Sequence, residues 1–326
     1  IIASCDVAAA MMEPPGGTAL VEESILESLD FRRAMRKVDA EYGDEDWWFQ
    51  VWGPEELGED GVDAPENWVL KKTDAEGVQP ADGEESWHAF GDMAPGFNML
   101  DPIKATLVTP GLNLDGRFED TGIPASIVTK YLAEHGVVVE KTGLYSFFIM
   151  FTIGITKGRW NSLLTELQQF KDDYDKNRRM WRCMPEFCAK HPRYEKMGLR
   201  DMCQHVHTLY AKYDVARLST DMYLSDHTPE MTPSAAFSCI AARTTQRVSI
   251  DDLEGRITTS LVTPYPPGIP LLIPGEVFNT KIVEYLKFNR AFARECPGFE
   301  TDIHGLVQEE DENGHIQYFA DCVAAE

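Results

Sequence analysis

The chain has 326 residues, 43% of them hydrophobic, which is enough for a large core and favours two domains over one. Its formal net charge of −24 argues against nucleic-acid binding, which relies on Lys and Arg to neutralise phosphates. An acidic surface attracts small cations such as diamines and basic amino acids, although acidity alone more often only provides solubility. No uncharged apolar run reaches about 18 residues, so no membrane span is predicted.

The cysteine usage and the first residues bear on location. Seven cysteines without a CxxC pair favour a reducing cytosol over a disulfide framework, so a cytoplasmic protein is predicted. Residues 1–12 lack the basic region of a signal peptide and begin with Ile1 rather than Met. We therefore expect Ile1 to be an internal position of a longer chain.

The first part of the chain is predicted to contain two helices. Residues 1–12 are typical of a short buried helix end, stopped by the Pro- and Gly-rich residues 13–17. Residues 18–42 have the apolar spacing of an amphipathic helix. Residues 43–95, acidic and rich in Gly and Pro, are predicted to form short strands joined by long loops.

The middle of the chain has the most regular pattern. The predicted elements are a strand at 104–109, a helix at 124–135 ended by Gly136, strands at 137–140 and 147–155, and a helix at 157–174. This order is a split βαβ pattern, so an α/β (α+β) domain with helices packed on a mixed sheet is expected.

After residue 176 the pattern changes to short helices separated by prolines. These helices are predicted at 202–213, 233–242 and 279–294. The acidic segment 308–315, which contains Asn313 and Gly314, predicts a hairpin turn between two late strands.

Cys203, His205 and His207 form a cluster that suggests a metal site. Residues two apart on a helix face away from each other, so the three side chains cannot converge on one ion. We interpret them as ordinary helix residues and predict no metal. The sequence also contains no Walker loop, no GxGxxG motif and no nucleophilic triad motif.

Two residues are candidates for ligand binding. Glu140 follows three valines at the carboxyl end of a predicted buried strand, where open α/β sheets place ligands, and it could bind a substrate ammonium. An ion pair with Lys141 or a solvated strand end is the alternative, and the pattern alone favours it. Tyr265 lies in segment 263–270, whose prolines fix φ and hold the ring in one orientation. A rigid connector with a core tyrosine is an equal alternative there.

Six short strings occur together in this chain. They are SWHAF (86–90), LDPIK (100–104), TGIPA (121–125), EHG (134–136), TPYPPGIP (263–270) and PGFE (297–300). In this order they resemble the bacterial ornithine/lysine/arginine decarboxylases, which are pyridoxal phosphate (PLP) enzymes of fold type I. The chain is identified as the carboxy-terminal part of such an enzyme, most similar to the lysine decarboxylases.

The resemblance implies a division into domains. Residues 1–13 would be a remnant of the PLP-binding large domain, and residues 14–176 an aminotransferase-like small domain with the split βαβ sheet. Residues 177–326 would form a mixed α/β carboxy-terminal decarboxylase domain.

The resemblance also implies PLP as the cofactor, bound mainly by a large domain outside this chain. The family's Schiff-base lysine lies in a Ser-x-His-Lys motif, and no such string occurs here. Lys104 is rejected as a substitute because its Asp-Pro-Ile-Lys setting matches a small-domain strand of the family. Decarboxylation needs the PLP ring as an electron sink, so we expect no catalytic or cofactor-binding residue in this segment and no activity of the segment alone.

The substrate and partners follow from the same resemblance. It assigns to Glu140 the distal ammonium of a basic amino acid and places Tyr265 at the active-site entrance, provided that the two converge. It ranks L-lysine first, with cadaverine and carbon dioxide as products, ornithine second and arginine third. A charge-assisted bond of about 1.5–3 kcal/mol would favour a diamino acid roughly ten- to hundredfold over a neutral one. The resemblance further implies a homodimer, or a decamer built from dimers.

One departure from the family concerns a regulator. Enteric acid-inducible lysine enzymes bind guanosine tetraphosphate through basic residues at positions occupied here by Glu13 and Asp172. Anions there would repel a polyphosphate, so no binding of this alarmone is expected. Two non-catalytic alternatives remain open, namely a regulatory module that binds an amino acid or polyamine, and an assembly domain.

Overall fold

The computed structural model describes residues 1–43, 47–53, 100–113, 115–265, 268–312 and 316–325. Its helices are α1 (Ile2–Met11), α2 (Gly16–Tyr42), α3 (Ala125–Glu134), α4 (Lys157–Asp175), α5 (Met180–Cys183), α6 (Pro185–Lys190), α7 (Leu199–Tyr213), α8 (Val215–Leu224), α9 (Pro233–Ala242) and α10 (Thr280–Glu295). Its strands are β1 (Gln50–Val51), β2 (Lys104–Val108), β3 (Lys141–Thr142), β4 (Ser146–Met150), β5 (Thr245–Ser249), β6 (Thr263–Tyr265), β7 (Asp302–His304), β8 (Leu306–Glu310) and β9 (Ile316–Val323). Most of the segment predicted as strands and loops at 43–95 lies outside the described residues.

The chain divides into two compact units. Unit 1 consists of Ile1–Pro110, Val128–Lys141 and Tyr145–Asp173. Unit 2 consists of Gly111–Ile127, Thr142–Leu144 and Tyr174–Glu326. The domain boundaries after residues 13 and 176 stay a prediction.

Unit 1 is built on a four-stranded sheet in the order β1-β2-β4-β3. Strand β2 is antiparallel to both β1 and β4, with Ala105 opposite Ile149. The elements β2, α3, β3, β4 and α4 follow the predicted order of strand, helix, strand, strand, helix. Helix α4 buries the face predicted for it, because Trp160, Leu163, Leu167 and Phe170 are all buried.

Helix α2 is attached to this sheet by a buried cation. Arg32 is 4% exposed, and its Nη2 donates a hydrogen bond of 2.7 Å to the carbonyl oxygen of Lys104 in β2. Burial, with a smaller effect of nearby Arg36, lowers the pKa of the Arg32 guanidinium to about 10, so it remains charged at neutral pH. Ser28 adds a bond of 2.5 Å to the Pro102 carbonyl oxygen. These bonds fix α2 against the start of β2.

Helix α1 forms where the sequence predicts it, but it is not buried. None of its residues is buried, so the expectation of a buried helix end is wrong for the described part of the chain. Its apolar composition predicted burial, yet no described residue covers it. Among the residues that the structure describes, no helix is long and apolar enough to cross a membrane.

The strand predicted at 137–140 is wrong. Gly136 ends α3 with φ of +81°, as expected, and the N–H of Val137 then donates to the Leu132 carbonyl oxygen at 2.9 Å. This bond completes a Schellman-type helix end, so the valines belong to the end of α3 rather than to a ladder. Val138 is 86% exposed, and β3 begins only at Lys141.

Unit 2 combines several helices with two small antiparallel sheets. One sheet has the order β5-β9-β8, and the other pairs β6 with β7. The predicted helices are confirmed as α7, α9 and α10, and Asn279 caps α10 by accepting a hydrogen bond from the Ile282 N–H at 3.0 Å. The two late strands are confirmed by the β8–β9 pairing, whereas Asn313 and Gly314 lie outside the described residues.

Gly122 of the TGIPA string packs against a buried histidine within unit 2. A Cβ added at Gly122 would lie 2.2 Å from Nδ1 of His207. His207 is 2% exposed, and its Nε2 lies 2.8 Å from the Glu119 carbonyl oxygen, so the ring cannot move without losing this bond. We therefore expect Gly122→Ala to lower the free energy of unfolding by about 1–3 kcal/mol, measured by chemical denaturation.

Gly158 provides the control for this substitution. A Cβ at Gly158 would meet nothing closer than Oγ1 of Thr156 at 3.9 Å. Gly158→Ala is expected to leave stability unchanged or to raise it by up to ~1 kcal/mol, because it reduces the entropy of the unfolded chain. Equal denaturation midpoints for the two variants would contradict the close packing at Gly122.

Candidate functional site

Glu140 lies at the edge of the unit 1 sheet, directly before β3. Its backbone N–H donates to the Phe148 carbonyl oxygen of β4 at 3.0 Å, which fixes the backbone at this point. Its side chain is exposed, so the predicted position at the end of a buried strand is wrong. The ion pair with Lys141 that the sequence left open is not formed either, since neither side chain has an ion-pair partner among the described residues.

Glu140 lines a groove of about 560 Å³ that is formed within unit 1. This volume falls in the range of about 300–1,000 Å³ that small-ligand sites occupy. The groove lies between the segment that follows α3, the end of β4 and the first turns of α4. Among its lining residues are Val139, Glu140, Phe151, Arg159, Trp160 and Leu163.

Helix α2 packs against the aromatic residues that line the apolar part of this groove. Nε1 of Trp160 donates a hydrogen bond of 2.5 Å to Oε2 of Glu27. The ring of Phe31 lies 6.0 Å from that of Trp160 and 5.5 Å from that of Phe151. Because Phe31 is fully buried, the two lining aromatic rings have little freedom to move.

A cation lines the same groove as Glu140. Arg159 lies in the first turn of α4, where its N–H donates to the Thr156 carbonyl oxygen at 2.9 Å. Its side chain is exposed and has no ion-pair partner among the described residues. The groove therefore presents one carboxylate and one guanidinium, groups that bind an ammonium and a carboxylate, respectively.

Tyr265 ends β6 in unit 2. It pairs with Asp302 of β7, and its ring lies 4.5 Å from the ring of His304. Nε2 of His304 lies 3.1 Å from Oδ2 of Asp302. Tyr265 is 48% exposed, so it is not the core tyrosine of the alternative reading, and the contact with His304 orients its ring.

The two predicted site residues belong to different units. Glu140 lies in unit 1 and Tyr265 in unit 2. Their convergence on one substrate stays a prediction.

Cys203, His205 and His207 lie on α7, as predicted. Burial raises the pKa of the Cys203 thiol well above its ordinary value, which keeps it protonated and makes it a poor metal ligand or nucleophile. His207 is occupied by its contact with Glu119. Within the described ranges, no group of three or more His, Cys, Asp or Glu residues could hold a metal ion.

The groove of Glu140 does not fit a PLP site. No lysine is among the described residues that line the groove. Lys104 is half-exposed and its Nζ lies 3.3 Å from Oδ2 of Asp101. Lys171 is buried with its Nζ 4.2 Å from the centre of the Trp48 ring. Neither lysine is placed to hold the cofactor in the groove.

Three residues of the groove and of the Tyr265 contact were not identified as site residues from the sequence. Asp302 and His304 could have been found, because residues two apart on a strand share a face and the string after PGFE alternates in this way. Arg159 has no comparable signal. It is a single charge in the first turn of an amphipathic helix, and only the fold brings it to the groove of Glu140.

Comparisons with known proteins agree with this fold. Two protein-family models match the chain. The family model for the Orn/Lys/Arg decarboxylase major domain matches residues 1–159, and the family model for the Orn/Lys/Arg decarboxylase C-terminal domain matches residues 216–324. Lysine decarboxylase LdcA of Pseudomonas aeruginosa is 44% identical over 99% of this chain and 42% of its own length. The inducible lysine decarboxylase of Escherichia coli strain K12 is 38% identical over 95% of this chain and 42% of its own length.

A solved structure supports the same relationship. Lysine decarboxylase A from Pseudomonas aeruginosa superposes with a TM-score of 0.88 and 43% identity, covering 99% of this chain and 42% of that structure. The chain thus spans about two fifths of the length of these relatives. The sequence strings, the α/β fold and both family models agree, and the chain belongs to the ornithine/lysine/arginine decarboxylase family.

Proposed function

We propose that this chain acts in the PLP-dependent decarboxylation of a basic amino acid, with L-lysine as preferred substrate and cadaverine and carbon dioxide as products. Ornithine and arginine are the alternative substrates. PLP, when bound, supplies the electron sink for the reaction. Because no lysine is among the described residues that line the groove, the contribution proposed for the groove is to bind and orient the substrate.

The observation that carries this proposal is the carboxylate of Glu140, which has no ion-pair partner among the described residues and lines a groove with mainly apolar walls. The carboxylate is proposed to bind the distal ammonium, and the methylenes of the substrate are proposed to pack against Val139 and Phe151. The energy expected from the sequence, about 1.5–3 kcal/mol, applies to a desolvated charge pair. Because Glu140 is exposed, about 0.2–1 kcal/mol is the better expectation, which is at most about fivefold in affinity.

Tyr265 is proposed to line the entrance of the active site. Its position at the end of β6 and its contact with His304 support this role, because they give an exposed aromatic ring a defined orientation. An oriented ring can guide an alkyl ammonium by apolar and cation–π contact.

The partners and location are proposed on more general grounds. A homodimer, or a decamer of dimers, is proposed from the family, and no nucleic-acid partner is expected at a net charge of −24. All seven cysteines are free and five of them are buried, which supports the proposed cytoplasmic location.

The substrate preference and the role of Glu140 are tested together. In the intact, cofactor-loaded protein, release of carbon dioxide from L-lysine, L-ornithine and L-arginine should give the highest kcat/KM for L-lysine. Glu140→Gln should raise KM for L-lysine up to about fivefold with a smaller change in kcat, because the lost attraction acts mainly on binding.

Glu195→Gln is the matched control, since Glu195 is exposed in unit 2 and does not line the groove. It should leave KM unchanged. If Glu140→Gln and Glu195→Gln have the same KM, Glu140 does not bind the substrate. If none of the three amino acids releases carbon dioxide while the protein binds a polyamine, the regulatory alternative replaces the enzymatic one.

A second experiment concerns Tyr265. Tyr265→Ala should raise KM for L-lysine about two- to tenfold, since an oriented aromatic contact contributes about 0.5–1.5 kcal/mol, while Tyr265→Phe keeps the ring and should stay near the original value. Phe237→Ala removes another exposed aromatic ring of unit 2 and should have no effect. Equal KM values for Tyr265→Ala and Phe237→Ala would show that Tyr265 does not line the entrance.

The response to guanosine tetraphosphate gives a third test. Glu13 is exposed and Asp172 is half-buried on α4, so both positions present a carboxylate where a polyphosphate would need a cation. Titration calorimetry with this nucleotide should detect no tight binding. Saturable binding at low micromolar concentration would show that other residues compensate for these two.

A further inference from the structure

The groove of unit 1 contains a cation that the proposed role of Glu140 does not use. We propose that Arg159 is a second ligand-binding residue, which binds the carboxylate of an aliphatic amino acid whose ammonium is paired with Glu140. This inference rests on the proposed function of Glu140. It adds the recognition of a carboxylate, and so distinguishes the amino acid from a diamine.

The position of Arg159 on its helix supports this role. The helix dipole makes the first turn of α4 favourable for anions and unfavourable for cations. The first turn nevertheless contains Lys157 and Arg159 and no acidic residue. A bound carboxylate would be attracted by both the guanidinium and the helix end, and it would offset the unfavourable placement of the cations.

Both charges start from backbone that is held in place. The Glu140 backbone is bonded to Phe148 of β4, and Arg159 directly precedes Trp160, which is anchored on Glu27 of α2. Only the side chains themselves must be ordered when a ligand binds. This limits the entropic cost of recognising a flexible alkyl chain.

The surface available for the rest of the ligand is mainly apolar, although Thr152 and Ser162 also line the groove. Val139, Phe151, Trp160 and Leu163 line the same groove, and the parts of these side chains that face it offer apolar contact for methylene groups. A ligand that suits this groove has an ammonium, an alkyl chain and a carboxylate. A guanidinium suits the carboxylate better than an ammonium would, because its planar donors match two oxygens at once.

This arrangement discriminates between the substrate and the product of the proposed reaction. A diamine has no carboxylate, and its second ammonium would be repelled by Arg159 if Glu140 held the first. We therefore expect Arg159 to favour binding of the amino acid and release of the diamine.

The experiment measures binding of three ligands that differ only in one end group. Calorimetry on the intact, cofactor-loaded protein would compare 5-aminopentanoate, pentylamine and 1,5-diaminopentane. Arg159→Gln should lower the affinity for 5-aminopentanoate up to about fivefold. It should leave the affinity for pentylamine unchanged and that for 1,5-diaminopentane unchanged or higher. Arg159→Lys should retain part of the affinity for 5-aminopentanoate, because it keeps the charge but not the planar donors.

Lys190→Gln controls for the loss of a positive charge, since Lys190 is exposed on α6 and does not line the groove. Arg159 is itself exposed, so its replacement should not disturb folding, and this is checked by the thermal midpoint. Equal affinities of Arg159→Gln and Lys190→Gln for 5-aminopentanoate would overturn the proposal.

The two proposals fail in different ways. If Glu140→Gln lowers the affinity for pentylamine while Arg159→Gln leaves the affinity for 5-aminopentanoate unchanged, Glu140 binds the ammonium and Arg159 does not bind the carboxylate. If Glu140→Gln leaves pentylamine unchanged, the ammonium site is lost and the paired site with it, whatever Arg159→Gln does. If both variants weaken 5-aminopentanoate binding, a double variant that binds it more weakly than either single variant supports one ligand spanning both charges.

Discussion

The contact of the Trp160 indole with helix α2 is the interaction on which the described groove depends. Trp160 is 4% exposed, its N–H is satisfied by Glu27, and its ring meets Phe31, which also contacts Phe151. A buried indole N–H needs such a partner, and here the partner comes from another helix. The same contact therefore fixes α4 on α2, forms the apolar lining of the groove and sets the position from which Arg159 extends.

The helices of this chain were largely predictable, because burial of one helix face leaves a periodic pattern. Leu163, Leu167 and Phe170 repeat at helical spacing, and α4 begins and ends within one residue of its predicted limits. The failure at residues 137–140 has a local cause. Three valines favour a strand, but the N–H of Val137 is used to complete the end of α3, and this local helix cap overrides the β propensity of the valines.

The site was less predictable than the fold. Glu140 was singled out by its position after three valines and given its role by the resemblance, and its assumed setting at the end of a buried strand was wrong. The sequence alone gives no reason to assign a role to a single arginine in a helix. Only the fold shows that Arg159 lines the same groove as a carboxylate and several apolar side chains. The contact between Tyr265 and His304 was likewise not predictable from the sequence, because two strands far apart in the sequence must pair before the rings can meet.

Exposure of the groove limits what its charges can contribute to specificity. Lysine and ornithine both have an α-carboxylate and a distal ammonium, so the roles proposed for Glu140 and Arg159 would select the class of ligand and not its length. The two amino acids differ by one methylene, whose burial is worth about 0.8 kcal/mol, or about fourfold in affinity. This is similar to the effect of one exposed charge pair, about 0.2–1 kcal/mol. Under the proposed function, the choice among basic amino acids depends on the fixed distance across the apolar lining, and so on the rigidity that Phe31 and Trp160 give to it.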